Sequence, residues 1–310
     1  MKFRVAALAC LYLVGGVASA QAPPIGVARY EVVAIIDHEG ALGVTGLGLN
    51  ERGQVAGWYT TSTECDVPRV SFVWSNGEFE YISVPDVFST TAEGINNRGY
   101  VTGGYFVSAC EPKGYRQAFV MSPGGEFRTL PWTSLHSIVT DISNNGWMTG
   151  PTLLCEPSGG GVGCQLGFLY NGRDEPLFLD PPGCRVNIHT NDVNARGEVV
   201  GSCQVVQFGP FRGYKYADGS YEFIEFPGAT STQMMGINEA GHVIGFASMP
   251  DPGGTVNFIR RGDRFESIEL TGVDGLASFR IHQINSAGMI LGSVYGADGR
   301  GRGFLARRIQ

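Results

Sequence analysis

A nine-residue pattern that recurs six times along the chain is the feature that most constrains its fold. The pattern is apolar-Asn-x-x-Gly-x-apolar-x-Gly, and successive copies begin 44 to 51 residues apart. Five copies carry Asn and the third carries Ser, at Asn50, Asn96, Ser143, Asn194, Asn238 and Asn285. Repeats of this length are typical of solenoids, propellers and arrays. The chain is therefore expected to consist of six copies of one structural unit.

The Asn-x-x-Gly core of the pattern predicts a hairpin turn. An Asn side chain at the first turn position can accept a hydrogen bond from the backbone two residues on. A Gly at the fourth position can adopt the left-handed conformation that closes a type I turn. We therefore expect a structural role for the Asn residues and positive φ at Gly53, Gly99, Gly146, Gly197, Gly241 and Gly288.

An aromatic residue follows each copy after a loop of variable length. It lies 12 to 18 residues beyond the last motif Gly, at Phe72, Phe119, Phe168, Tyr214, Phe258 and Phe304. Hairpin dipeptides such as Asn76-Gly77 come next, before a last apolar run. Each copy thus supplies four antiparallel strands, called a to d in chain order, as in a propeller blade. The sequence predicts an all-β, six-bladed β-propeller without helix.

The two ends of the repeat array predict how it closes. The sixth copy ends after strand c, so it lacks a strand d. Residues Ala28 to Ile36 form an orphan strand before the first copy. We expect this strand to pair antiparallel with the segment from Gly303 to Arg308, because closure removes an exposed sheet edge.

The six in-register copies of Ile-Asn-x-x-Gly-x-Val-x-Gly resemble the HAF family of extracellular repeat proteins. The resemblance covers nearly all of the chain beyond residue 20. The His-Ala-Phe triplet that names the family is poorly kept, and Gln117-Ala118-Phe119 is its nearest counterpart. The resemblance implies an exported repeat protein and no particular reaction.

The first twenty residues predict export. Lys2 and Arg4 precede an apolar run, and Ala18-Ser19-Ala20 offers a small-x-small cleavage site, so residues 1–20 are interpreted as a signal peptide and 21–310 as one propeller domain. The net charge of −7 falls to −9 without Lys2 and Arg4, and no basic stripe is present. Nucleic acid and anionic membranes are therefore not expected as partners. We expect the mature protein to be a monomer that is secreted or periplasmic.

Six cysteines remain after the predicted cleavage, and an even number in an exported chain indicates disulfides. All six lie in or beside the b–c and d–a loops, which share one face of a propeller. The strand order predicts the pairs Cys65–Cys110, Cys155–Cys164 and Cys184–Cys203. A zinc site is the alternative, although no Cys-x-x-Cys occurs.

Candidate functional residues lie on strand a, which lines the channel of a propeller. Counting back from each turn Asn gives six polar side chains that could converge near the axis: Glu93, Asp141, His189, Asp192, Arg280 and His282. Histidine with carboxylates can perform acid–base chemistry or hold a metal. The alternative is a polar, water-filled channel whose groups satisfy each other.

No established catalytic signature accompanies these residues, since Gly-x-Ser-x-Gly, Gly-Lys-Ser/Thr and His-Glu-x-x-His are all absent. The interpretation we favour from sequence is an exported, non-enzymatic binding or scaffold module for a protein or carbohydrate ligand. It needs no cofactor or metal. Its ligand would contact the loop face, around Thr61–Arg69, Val107–Arg116 and Leu153–Leu166. The alternative is a propeller hydrolase or lyase that acts on extracellular carbohydrate through the axial histidines and carboxylates.

Overall fold

The computed structural model describes residues 25–109, 116–131, 136–154 and 165–309. These residues form 25 β-strands and no helix, which confirms the all-β prediction. Residues 1–20, together with Cys110, Cys155 and Cys164, lie outside the described ranges. Nothing within those ranges is a helix long and apolar enough to span a membrane.

The first three repeats, numbered by their motif copies, follow a strand β1 (Gly26–Ile36). Repeat 1 contains β2 (Gly43–Leu49), β3 (Val55–Thr60), β4 (Val70–Ser75) and β5 (Glu78–Ile82). Repeat 2 contains β6 (Ser89–Ile95), β7 (Val101–Phe106), β8 (Gln117–Met121) and β9 (Phe127–Thr129). In repeat 3, strand a is divided, and the strands are β10 (His136–Ser137), β11 (Asp141–Ile142), β12 (Met148–Leu153), β13 (Gln165–Tyr170) and β14 (Leu177–Leu179).

The last three repeats keep the same order. Repeat 4 contains β15 (Val186–Val193), β16 (Val199–Gln204), β17 (Phe211–Ala217) and β18 (Ser220–Ile224). Repeat 5 contains β19 (Ser231–Ile237), β20 (Val243–Ser248), β21 (Thr255–Arg261) and β22 (Arg264–Thr271). Repeat 6 contains β23 (Leu276–Ile284), β24 (Ile290–Gly296) and β25 (Gly301–Arg308).

Neighbouring strands within each repeat pair antiparallel. Repeats 2 and 4 are separate four-stranded sheets, and repeat 3 is a five-stranded sheet because its strand a is divided. Repeats 1, 5 and 6 belong with β1 to one 12-stranded sheet. Each strand a also contacts strand a of the next repeat, and β23 of the last repeat contacts β2 of the first. The inner strands thus form a closed ring.

Strand β1 explains why the largest sheet unites three repeats. It pairs antiparallel with β25 from Tyr30↔Arg308 to Ile36↔Gly303, which confirms the predicted closure of repeat 6. It also pairs in parallel with β22, the outer strand of repeat 5, which the sequence did not predict. One strand therefore supplies the outer edge of repeat 6 and covers the edge of repeat 5.

The turns between strands a and b have the predicted geometry. In the first turn, Asn50 Oδ1 accepts hydrogen bonds from the backbone N–H groups of Arg52 and Gln54, both at 3.0 Å. The glycines that close the six turns all have positive φ, between 74° and 98°, at Gly53, Gly99, Gly146, Gly197, Gly241 and Gly288. A side chain there would be strained.

The same Asn residues join neighbouring turns around the axis. Asn50 Nδ2 donates to the carbonyl of Asn96 at 3.3 Å, and Asn285 Nδ2 closes the circuit on the carbonyl of Asn50 at 3.3 Å. Asn96, Asn194 and Asn238 repeat this bond to their own next turns. At Ser143, whose hydroxyl bonds within its own turn, Asn145 Nδ2 bridges to the carbonyl of Ala195 instead. The motif Asn therefore serves both the hairpin and the ring.

The last motif Gly has a packing role. It stands directly opposite the aromatic residue of strand c in every repeat, as in the pair Gly57↔Phe72. A Cβ on Gly57 would lie 2.2 Å from the carbonyl oxygen of Thr45 and 2.9 Å from the Phe72 ring. All six aromatic residues are fully buried: Phe72, Phe119, Phe168, Tyr214, Phe258 and Phe304. The spacing of the motif therefore creates the slot that the core aromatic ring occupies.

The structure tests one of the three predicted disulfide pairs in full. Cys184 and Cys203 form the predicted disulfide. Cys65 is also disulfide-bonded. The pairs Cys65–Cys110 and Cys155–Cys164 involve residues outside the described ranges and stay predictions.

Candidate functional site

A β-bulge on strand a determines which side chains face the channel. The pairing of strands a and b shifts by one residue three positions before the turn Asn, at Leu47, Glu93, Asn191, Met235 and His282. Bulges re-aim side chains and are frequent beside functional sites. With this shift, the side chains three positions and two positions before the turn Asn can both point into the channel. In a regular strand, adjacent side chains point to opposite faces.

The turn end of the channel is closed by a pair of carboxyl groups. Asp141 and Asp192 approach each other, and Gln283 Nε2 from repeat 6 donates to Asp141 Oδ1 at 3.4 Å across the axis. Asp192 also accepts the backbone N–H of Ile237 at 2.6 Å. Burial raises the pKa of both carboxyls, and the neighbouring Asp192 charge raises that of Asp141 further. The cavity beside them holds about 40 Å³, so this end is a plug rather than a binding site.

The histidines predicted for the site lie in different repeats with separate partners. His282 Nε2 is 3.0 Å from Ser293 Oγ, and burial, aided by the Arg280 charge, lowers the pKa of His282 to about 4. The Arg280 guanidinium lies 3.9 Å from the centre of the Phe246 ring. Burial also lowers the pKa of His189, whose ring packs 6.0 Å from that of Phe211. Both imidazoles are therefore neutral near pH 7.

Glu93 forms a second buried cluster nearer the loop face. Arg116 Nη1 lies 3.2 Å from Glu93 Oε1 and 3.2 Å from Thr91 Oγ1. The Glu93 side chain is only 11% exposed. Burial raises the pKa of Glu93, although Arg116 and, more weakly, Arg69 oppose that rise. The site therefore holds a carboxyl that loses its proton less readily than an exposed glutamate.

A cavity of about 390 Å³ opens on the loop face. Glu93 and Arg116 do not line it, and Arg69, whose charge acts on Glu93, does. Its walls include Trp58, Arg69 and Phe106, with Glu64 and Cys65 from the b–c loop of repeat 1. The Arg69 guanidinium lies 4.5 Å from the centre of the Trp58 ring and 5.5 Å from that of Phe106. Trp58 Nε1 is buried without a hydrogen-bond partner among the described residues. The cavity thus combines aromatic faces with a cation.

The structure does not gather the six predicted residues into one site. It brings Asp141 and Asp192 together at the plug, places Arg280 near His282, and leaves Glu93 and His189 with separate partners. Sequence reasoning placed Arg69 and Arg116 at the ends of loops expected to contact a ligand, gave them no role in the site, and missed Trp58. A signal existed for the arginines, because Arg69 and Arg116 both stand three residues before the aromatic residue of strand c. Within the described ranges, no group of three or more His, Cys, Asp or Glu residues could hold a metal ion.

No family model and no curated protein matches the chain. Solved structures do match it over most of its length. A protein named as a candidate gluconolactonase is 14% identical, with 91% of this chain and 94% of that chain covered, at a TM-score of 0.50. A Xanthomonas campestris gluconolactonase is 10% identical over 93% and 99% of the two chains, at a TM-score of 0.48. A Trypanosoma rangeli sialidase is 9% identical, with 91% of this chain and 55% of that chain covered, at a TM-score of 0.49.

At these identities the likeness establishes the fold, and this fold is a β-propeller. It also corrects the function favoured from sequence. The interpretation as a non-enzymatic binding or scaffold module was wrong, because the propeller that this chain matches along nearly its whole length bears the name of an enzyme. The lack of a catalytic sequence motif misled that interpretation, since fold and motif do not determine chemistry. The enzymatic alternative takes its place as a proposal.

Proposed function

We propose that this protein is an exported, six-bladed propeller hydrolase that acts on carbohydrate from its loop face. The closed ring of inner strands and the bonds between successive turns support six blades. The Cys184–Cys203 disulfide suits export, as do the signal peptide and the HAF resemblance proposed from sequence.

The observation that carries the proposal is the buried carboxyl of Glu93. A glutamate whose pKa is raised by burial keeps its proton to a higher pH than an exposed glutamate and can donate it to a leaving oxygen. Arg69 connects this group to the cavity, because its guanidinium lines the wall and its charge acts on the pKa of Glu93. We assign Glu93 as the general acid.

The walls of the cavity favour a sugar as substrate. Small-molecule sites combine apolar or aromatic walls with a few polar groups that fix orientation. The rings of Trp58 and Phe106 offer faces for the C–H side of a sugar, and Arg69 offers donors for its hydroxyls. Glycoside hydrolysis uses two carboxyl groups. Glu64, an exposed residue of the cavity wall, is the second carboxylate in this proposal.

The test is a screen of polysaccharides and oligosaccharides for new reducing ends, followed by two matched variants. Glu93→Gln removes the proton that the leaving group needs, so we expect kcat to fall by about 100-fold or more, the usual contribution of a general acid. Glu80→Gln changes an exposed glutamate of β5 and should leave kcat unchanged. Wild-type kcat should fall as pH rises through the raised pKa of Glu93.

Three outcomes would contradict the proposal. Full activity of Glu93→Gln would remove that residue from the reaction. A product with a new carbon–carbon double bond, detected by ultraviolet absorbance, would identify a lyase instead of a hydrolase. Absence of cleavage across the whole panel would reject carbohydrate as the substrate.

A further inference from the structure

A cleft of about 820 Å³ lies between repeats 2 and 3, among the a–b and c–d turns. This is the face opposite the cavity of Trp58 and Arg69. The outer strands of these two repeats, β9 and β14, have three residues each, whereas β5, β18 and β22 have five to eight. Because these outer strands are short, the gap between the two sheets stays open.

The cleft is basic although the chain as a whole is acidic. Arg98, Arg128 and Arg173 line it, with Glu126 as its one acidic wall residue, in a chain of net charge −7. None of the three arginines forms an ion pair with any residue of the described ranges. Their charge is therefore available to a ligand.

Arg98 departs from its counterparts in the other repeats. Arg52 and Arg196 occupy the same position, two residues after the turn Asn, and each donates to a backbone carbonyl of the next turn. Arg98 makes no such bond, and its guanidinium instead lies 5.1 Å from the centre of the Tyr100 ring, at the cleft. Arginine occupies this position in repeats 1, 2 and 4, and only in repeat 2 does it lie at the cleft instead of bonding to the next turn.

We propose that this cleft binds a carboxylate-bearing oligosaccharide, such as a short uronate chain. The planar guanidinium matches a carboxylate with two parallel hydrogen bonds. The three arginines come from three elements, the a–b turn of repeat 2, strand β9 and the c–d turn of repeat 3, which suits carboxylates repeated along a chain. The Tyr100 ring provides a face for a sugar. The volume is that of a small-molecule site.

The inference is independent of the hydrolase site, because the two sites share no residue. Calorimetry with a short oligogalacturonate tests it on the full chain. We expect wild type to bind in a salt-dependent manner, and the variant Arg98→Gln/Arg128→Gln/Arg173→Gln to bind at least about tenfold more weakly, since charge-assisted bonds are lost. The control Arg185→Gln/Arg264→Gln removes two exposed arginines outside the cleft and should bind as wild type does.

Two further ligands make the experiment decisive. A neutral galactose oligomer of the same length should bind at least about tenfold more weakly than the galacturonate, because it lacks the carboxylates. A poly-glutamate peptide should also bind more weakly. No binding of galacturonate by wild type, or equal binding by the triple variant, would overturn the proposal. Tighter binding of poly-glutamate, lost in the triple variant, would assign the cleft to acidic peptides and overturn the saccharide.

Discussion

At the scale of single residues, the plug at the turn end shows how one position of the repeat serves two purposes. Two residues before the turn Asn, three repeats have Gly48, Gly94 and Gly236, and the others have Asp141, Asp192 and Gln283. A Cβ on Gly48 would lie 2.7 Å from the carbonyl oxygen of Glu93, so the axis has little room for a side chain there. At Gly236 a Cβ would lie 3.0 Å from Gln283 Oε1 and 3.3 Å from Asp192 Oδ2, so this glycine makes space for two of the polar side chains.

Asp141 gives a prediction about stability and pH. Burial and the Asp192 charge raise its pKa above 3.8, so the folded protein retains a proton that the unfolded chain releases. The free energy of unfolding contributed by this group is therefore greatest at low pH and falls as pH rises from about 4 through the raised pKa. Asp141→Asn cannot ionise and avoids this loss.

We expect Asp141→Asn to be more stable than wild type at pH 7 by about 1–3 kcal/mol, the order of the desolvation penalty of a buried polar group. The difference should shrink as the pH is lowered to 4. Urea denaturation across that range measures it, with the exposed Asp274→Asn as control. A variant that is less stable than wild type at pH 7 would show that the carboxyl pair stabilises the axis.

At the scale of elements, β1 makes the largest difference to the architecture. It pairs with β25 on one side and β22 on the other, so a single strand near the start of the chain holds two late repeats. The sequence predicted the first pairing, because repeat 6 lacked a strand. It did not predict the second, because a parallel contact between neighbouring outer strands has no signature in the repeat.

Two adjacent isoleucines of β1 test this closure. Ile36 is fully buried, whereas Ile35 is 41% exposed. Ile36→Ala should lower the free energy of unfolding by about 2–5 kcal/mol, as for other core truncations. Ile35→Ala should change it by about 0.5 kcal/mol or less, as for surface substitutions. Thermal or urea unfolding measures both, and equal effects would contradict the placement of β1 in the core.

At the scale of the whole molecule, the repeat made the fold predictable and the site only partly so. The turn Asn, the turn Gly and the aromatic residue of strand c recur because every repeat needs the same hairpin and the same core slot. Functional residues have no reason to recur, so the candidate Glu93 was found by counting positions. The loop around Thr61–Arg69 was expected to contact a ligand, but Trp58 and the shape of the cavity were missed. The cavity depends on how the loop of repeat 1 meets repeat 2, and no repeated pattern encodes that contact.

The most direct test of the central claim is a crystal structure of Glu93→Gln with the best oligosaccharide from the activity screen. The substitution should slow turnover enough for the sugar to remain intact. We expect six closed blades, with the sugar in the loop-face cavity against Trp58 and Arg69 and its scissile oxygen within hydrogen-bond distance of residue 93. A sugar bound only in the arginine cleft or the axial plug, or at no ordered position, would contradict the proposed active site.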